Sequence, residues 1–139
     1  MKRGFTLIEL VITIVILSVL LSFAIPKFQK WKRKEEVKRD INYLYSVLQK
    51  TRNKAFLTKE DYTVIVNGTN VTIKNSQTLS IKLDTPFYSK RGKPVVLKVT
   101  SRGTFSKKTS IKCFNCNNLN LPYNCIVVNY YNLRMTRCD

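Results

Sequence analysis

The sequence predicts an α+β fold: a long N-terminal helix, transmembrane in its first half and amphipathic in its second, packed on a C-terminal antiparallel β-sheet head. Three observations carry this prediction. Residues 5–25 are almost wholly apolar. Val37, Ile41, Leu44, Leu48 and Ala55 then recur at spacings of 4, 3, 4 and 7, which puts them on one face of a helix. After Glu60 and Asp61 the apolar period changes to two, the period of a strand with one buried face. The 139 residues amount to one domain's worth, and the opening segment takes its share away from any soluble core.

The first element runs from Phe5 to Ile25, 21 residues that are apolar except for Thr6, Glu9, Thr13, Ser18 and Ser22. As a helix rising about 1.5 Å per residue it spans roughly 31 Å, the hydrocarbon thickness of a bilayer. A secretory signal would account for Lys2 and Arg3, and Ser22-Phe23-Ala24 makes a passable cleavage site. Glu9 at the front of the apolar region and Pro26 just behind the cut speak against it. An ordinary anchor accounts for the length and leaves Glu9 without a reason. A carboxylate costs about 2.5–3.5 kcal/mol at the centre of a spanning helix, less near its end, and usually marks function.

The stretch Lys2-Arg3-Gly4-Phe5-Thr6-Leu7-Ile8-Glu9-Leu10-Val11 resembles the N-terminus of type IV pilins and pseudopilins. The resemblance implies a basic leader, residues 1–4, removed by prepilin peptidase between Gly4 and Phe5, with N-methylation of the new Phe5 amine. It implies that Glu9 neutralises the N-terminal amine of a neighbouring subunit during assembly, which makes sense because a charge in an apolar bundle is tolerable only when paired. Pro26 falls where many pilins carry a helix-bending proline, whose ring removes one helical hydrogen bond. By the positive-inside rule, Lys27, Lys30, Lys32, Arg33, Lys34, Lys38 and Arg39 would hold the C-terminal part in the cytoplasm. The resemblance and the cysteines place it outside instead: a single pass through the inner membrane, then assembly into an extracellular or periplasmic filament.

The span, residues 5–26, is followed by an amphipathic stem, 27–58, whose helix is predicted to reach about Leu57. Its first part is mostly charged, with Phe28 and Trp31 as bulky exceptions beside basic residues that could touch anionic lipid headgroups. The head, 59–139, opens with "YTVIVNGTNVTIKN", where Asn67-Gly68 between two β-prone runs predicts a hairpin turn, since both residues accept positive φ. Further strands are predicted over Thr78 to Leu83, Val95 to Thr100, Thr109 to Phe114, Cys125 to Tyr130 and Leu133 to Arg137, punctuated by Gly and Pro.

The chain has 25 basic and 8 acidic residues, a net charge of +17, and no histidine. Without histidine the commonest general base and the usual nucleophile pairs are missing, so an enzyme is not expected. Neither a cofactor nor a metal is expected. Cys113, Cys116, Cys125 and Cys138 predict two disulfides in an exported head, with the three possible pairings left open. A four-cysteine zinc site is the lesser reading, because a second Cys-x-x-Cys pair is missing. The late basic residues, Lys107, Lys108, Lys112, Arg134 and Arg137 above all, suit sequence-independent contacts to DNA phosphates. Tyr123, Tyr130, Tyr131 and Phe114 could stack bases, although aromatic residues between strands more often fill a core.

A looser resemblance covers the head. Leu44, Leu48, Gln49, Arg52 and Ala55, then Arg102-Gly103 before further strands, look like the GspH/FimT group of minor pilins and pseudopilins. Members similar to FimT end in Gly-Arg-x-Arg, and some bind incoming DNA through it. Here Leu133 and Thr136 replace the glycine and the second arginine, so only Arg134 carries over. The expected function is a minor pilin with a DNA-binding head, partnered by other pilin subunits and prepilin peptidase. The alternatives are a pseudopilin of a type II secretion system and a structural filament-priming subunit.

Overall fold

The computed structural model describes residues 5–138. The chain divides into two compact units, Met1–Arg33 and Lys34–Asp139. One α-helix, α1 (Leu7–Thr58), begins in the first unit and ends in the second.

In the first unit every described residue is exposed, including Leu10, Ile14, Leu17, Leu21 and Ile25 along the span. The helix is long and apolar enough to cross a membrane. Its hydroxyls are satisfied internally. Thr13 Oγ1 donates to the Leu10 carbonyl at 2.7 Å, Ser18 Oγ to Val15 at 2.8 Å and Ser22 Oγ to Ser18 at 2.8 Å. A span whose polar side chains return to the backbone suits a solvent that offers no hydrogen bonds.

In the second unit the apolar helix face is as predicted: Val37, Ile41, Leu44, Leu48 and Ala55 are all buried. They cover one face of a six-stranded antiparallel sheet made of β1 (Tyr62–Lys74), β2 (Thr78–Ser89), β3 (Val95–Val99), β4 (Thr109–Cys113), β5 (Cys125–Val128) and β6 (Leu133–Thr136), in the order β3-β1-β2-β4-β5-β6. β3, β4, β5 and β6 each lie within two residues of their expected bounds, whereas β2 runs six residues past its predicted end at Leu83, through Pro86, to Ser89. Side-chain alternation gives the core Val64, Val66, Val71, Leu83, Phe87, Leu97, Ile111, Ile126 and Val128. Between β3 and β4, buried Phe105 bonds to the Tyr130 carbonyl at 2.9 Å. Gly103 closes the turn after β3 at φ 73°, a conformation glycine adopts without strain, and its carbonyl accepts Arg52 Nε at 2.8 Å.

A second expectation also fails. Asn67-Gly68 is not a hairpin turn: Tyr62–Lys74 is a single strand, and Gly68, at φ 60°, sits at an irregularity inside it. The β1–β2 reversal is instead made at Asn75-Ser76-Gln77, where Asn75 Oδ1 accepts Ser76 N at 2.7 Å and Asn75 N donates to the Gln77 carbonyl at 3.1 Å. The irregularity has a purpose. Inward residues are even-numbered before it (Tyr62, Val64, Val66) and include Val71 after it, so it resets which side chains face the helix.

Opposite, β2 bulges. Gly68 pairs with Phe87 and Asn70 with Lys82, so Thr69 alone faces the four residues Leu83 to Pro86. The amides of Asp84 and Thr85 leave the ladder there and donate to Asp40 Oδ2 of α1, at 3.0 and 2.8 Å. Asp40 is buried, and Arg39 Nη2 holds Asp84 Oδ2 at 2.7 Å beside it. A buried carboxylate thus supplies the partners that a bulged strand cannot find in its sheet.

Candidate functional site

Two regions of the molecule carry chemistry. At the start of α1, Thr6 is the capping residue: its carbonyl accepts Leu10 N at 3.2 Å and its Oγ1 accepts Glu9 N at 3.4 Å. Glu9 lies in the first turn, three residues on, where a capping-box acid belongs. Interaction with the helix dipole contributes about 0.3–1 kcal/mol, against a carboxylate cost of about 2.5–3.5 kcal/mol at the bilayer centre that falls toward its edge, so capping offsets only part of what Glu9 costs inside the span. Its carboxylate has no cationic partner among the described residues. Phe5, directly before the cap, is exposed, and Gly4 lies outside the described residues. Pro26 sits inside the helix, where it offers no N–H to the Ser22 carbonyl.

The second region is the sheet face turned away from α1. Strand pairing puts Tyr88 beside Lys112, Lys112 beside Cys125, and Val127 beside Arg134. Directly paired residues point to one face, so Lys112 and Arg134 share the outer surface on either side of β5. Next to Lys112 opens a cavity of about 680 Å³, lined by Tyr88, Lys90, Lys112, Phe114, Asn115 and Asn117 among others. Tyr88 and Phe114 meet edge to face there with centroids 5.8 Å apart, and Phe114 remains 55% exposed. That exposure makes Phe114 a surface ring rather than a core one.

The other sequence candidates lie apart from this cavity. Lys107 and Lys108 are exposed just before β4, with Lys108 Nζ 5.5 Å from the centre of the Tyr130 ring. Arg137 is exposed beyond the end of β6. Lys90 and Tyr88 were missed as site residues, because nothing in the sequence says that β2 runs beside β4.

Charge is distributed unevenly. After Asp84 no acidic residue occurs until Asp139, while Lys90, Arg91, Lys93, Lys98, Arg102, Lys107, Lys108, Lys112, Arg134 and Arg137 all fall between them. Lys98 is neutralised by Asp61, at 3.0 Å. The hydrogen bond from Lys98, joined by one from the Ser101 amide, holds the Asp61 carboxyl below the usual carboxylate range. Its small surface contribution to stability is present above the ordinary aspartate pKa and is lost as pH falls through the lowered one. Among the described residues, no carboxylate lies within ion-pairing reach of Lys90, Lys112 or Arg134.

The cysteines pair as Cys113–Cys116 and Cys125–Cys138. In disulfides their sulfurs are not the thiolates that zinc requires. The first pair closes the loop at the cavity rim, and the second ties the chain end to β5. Asn124, buried, clamps the same end: its Oδ1 accepts Cys138 N at 2.7 Å and its Nδ2 donates to the Cys138 carbonyl at 3.2 Å.

Residues 1–25 match the family model of the prokaryotic N-terminal methylation motif. The chain carries a type IV prepilin-like N-terminus. Combined with one long N-terminal helix followed by an antiparallel sheet, this motif makes the protein pilin-like in both sequence and architecture. Neither the curated proteins nor the solved structures give a match to the chain. A pilin-like N-terminus implies processing by prepilin peptidase and association with other pilin subunits.

Proposed function

We propose that this chain is a minor subunit of a type IV filament, similar to the GspH/FimT group, whose basic head binds DNA during uptake. Prepilin peptidase cuts between Gly4 and Phe5, and the Phe5 amine is methylated. That amine stays cationic beside the positive end of a helix dipole, an unfavourable position without a carboxylate nearby. Glu9 of a neighbouring subunit supplies one when the helices pack together, which also removes the unpaired carboxylate of each subunit from lipid. The reaction is assembly rather than catalysis.

The DNA-binding part rests on one observation: Lys112 and Arg134 share an outer sheet face, beside the Lys90 cavity, within a stretch that has no acid from 85 to 138. Such a surface attracts a phosphate backbone without reading its sequence. The full chain in zwitterionic detergent is expected to bind duplexes of arbitrary sequence. The plot of log K against log salt should have a slope of about −3 to −5, the release of one counterion per contacted phosphate. Replacing Lys112→Gln and Arg134→Gln together should weaken binding to all sequences alike and reduce that slope by about 2. Absence of binding at low salt would sink the uptake function and favour a secretion-type pseudopilin, whose head contacts protein.

A further inference from the structure

Phe28 and Trp31 lie one helical turn apart just beyond the apolar span, with ring centroids 5.8 Å apart and planes inclined by 33°. Both are more than half exposed, at 61% and 58%. Lys27, Lys30 and Trp31 are spaced i, i+3, i+4 and so share one helix face, while Lys32 and Arg33 add cations alongside. Between Glu9 and Glu35 the chain has no carboxylate.

The spacing along the helix is informative. Phe28 and Trp31 follow Ile25, the last residue of the span, by three and six residues, or about 4.5 and 9 Å of helix. The headgroup layer on each side of the hydrocarbon is about 5–7.5 Å deep. With residues 5–25 in the hydrocarbon, the two aromatic rings arrive at the headgroup level, the depth that tryptophan prefers. Side chains on a helix lean toward its N-terminus, so Lys30 and Arg33 reach back toward the span, laying apolar stems along it and placing their charges at headgroup phosphates.

We infer that residues 27–33 form a binding surface for anionic phospholipid headgroups, anchored by Phe28 and Trp31. The inference rests on reading residues 5–25 as a membrane span, and it is independent of what the head binds. Four cations in seven positions strengthen the attraction to an anionic bilayer well beyond what the aromatic pair gives in a neutral one. The surface fixes the depth of the waiting subunit, and leaving the bilayer for a filament means breaking these contacts.

Trp31 is the chain's single tryptophan, so its fluorescence reports on this surface alone. The full chain is reconstituted in phosphatidylcholine vesicles that contain an equal fraction of either chain-brominated phosphatidylcholine or chain-brominated phosphatidylglycerol. At low salt the anionic quencher should act as though enriched about three- to tenfold around the helix. The excess should vanish near about 0.5 M salt, where the Debye length is only a few ångströms. It should vanish as well in a Lys27→Gln, Lys30→Gln, Lys32→Gln, Arg33→Gln variant, whose head is checked by circular dichroism. Equal quenching by the two lipids at low salt overturns the inference, as does an excess that survives in the variant. No quenching by either lipid would overturn the membrane reading itself.

Discussion

Glu9→Ala is expected to leave membrane insertion and folding of the head intact while lowering incorporation into filaments by two orders of magnitude or more. The size follows from the pairing argument. Removing one partner of a buried ion pair costs about 3–5 kcal/mol, because the other charge stays buried alone, and each 1.4 kcal/mol is about tenfold in an equilibrium. Here the stranded charge would be the methylated Phe5 amine of the adjacent subunit. The head holds its own core, from Val37 to Leu133, within a unit that does not include Glu9, so thermal unfolding of the head should not change. Glu9→Gln separates charge from shape: it keeps the side-chain volume and loses the ion pair, and should incorporate nearly as poorly as alanine. Quantifying subunit in sheared filaments against subunit in membranes reads both variants. Normal incorporation of either would remove Glu9 from the assembly step.

Asp40→Ala should destabilise the head by about 3 kcal/mol, because it leaves the Asp84 and Thr85 amides without acceptors at a bulge, and each orphaned buried amide costs about 1–3 kcal/mol. For a unit of this size that is a fall of roughly 10–20 °C in the melting temperature. Asp40→Asn retains one carbonyl acceptor and gives up the charge-assisted bonds, so about half the loss is expected. Calorimetry or thermal circular dichroism of the three proteins settles the order. A melting temperature unchanged by Asp40→Ala would mean that water replaces the carboxylate and that the bulge needs no support from the helix.

The importance of Asp40 could have been found in the sequence. It lies three residues after Val37 and four before Leu44, on the same face as both, so the periodicity that located the core also placed a carboxylate in it. The strands were legible for a similar reason, since β-branched runs between Gly and Pro leave little choice of period. Asn67-Gly68 misled because a hairpin turn and a bulge ask for the same chemistry, a residue that tolerates positive φ, and both invert the inward alternation. Only the partner strand distinguishes them. The outer-face site was half legible: Lys112 and Arg134 were visible as charges, whereas their union with Lys90, Tyr88 and Phe114 depends on β2 lying beside β4, a long-range pairing that no local pattern encodes.

The polar groups of the span have distinct uses. Thr6 caps the helix, Glu9 sits in its first turn, and the remaining hydroxyls bond back to the backbone, so a single ionisable group remains in an otherwise lipid-compatible rod. A segment needed only as an anchor would have no use for that group. On the assembly proposed above, the methylation motif matched at residues 1–25 and the first turn of α1 would form one device, a helix end prepared to meet a neighbour's cationic terminus.

The most direct test of this account is the mass of the mature N-terminus. The chain is co-expressed with a prepilin peptidase, recovered from membranes, and its N-terminal peptide sequenced by tandem mass spectrometry. The account predicts a chain that begins at Phe5 with one added methyl on its amine. A chain still carrying Met1 to Gly4, or one cut after Ala24, would contradict it.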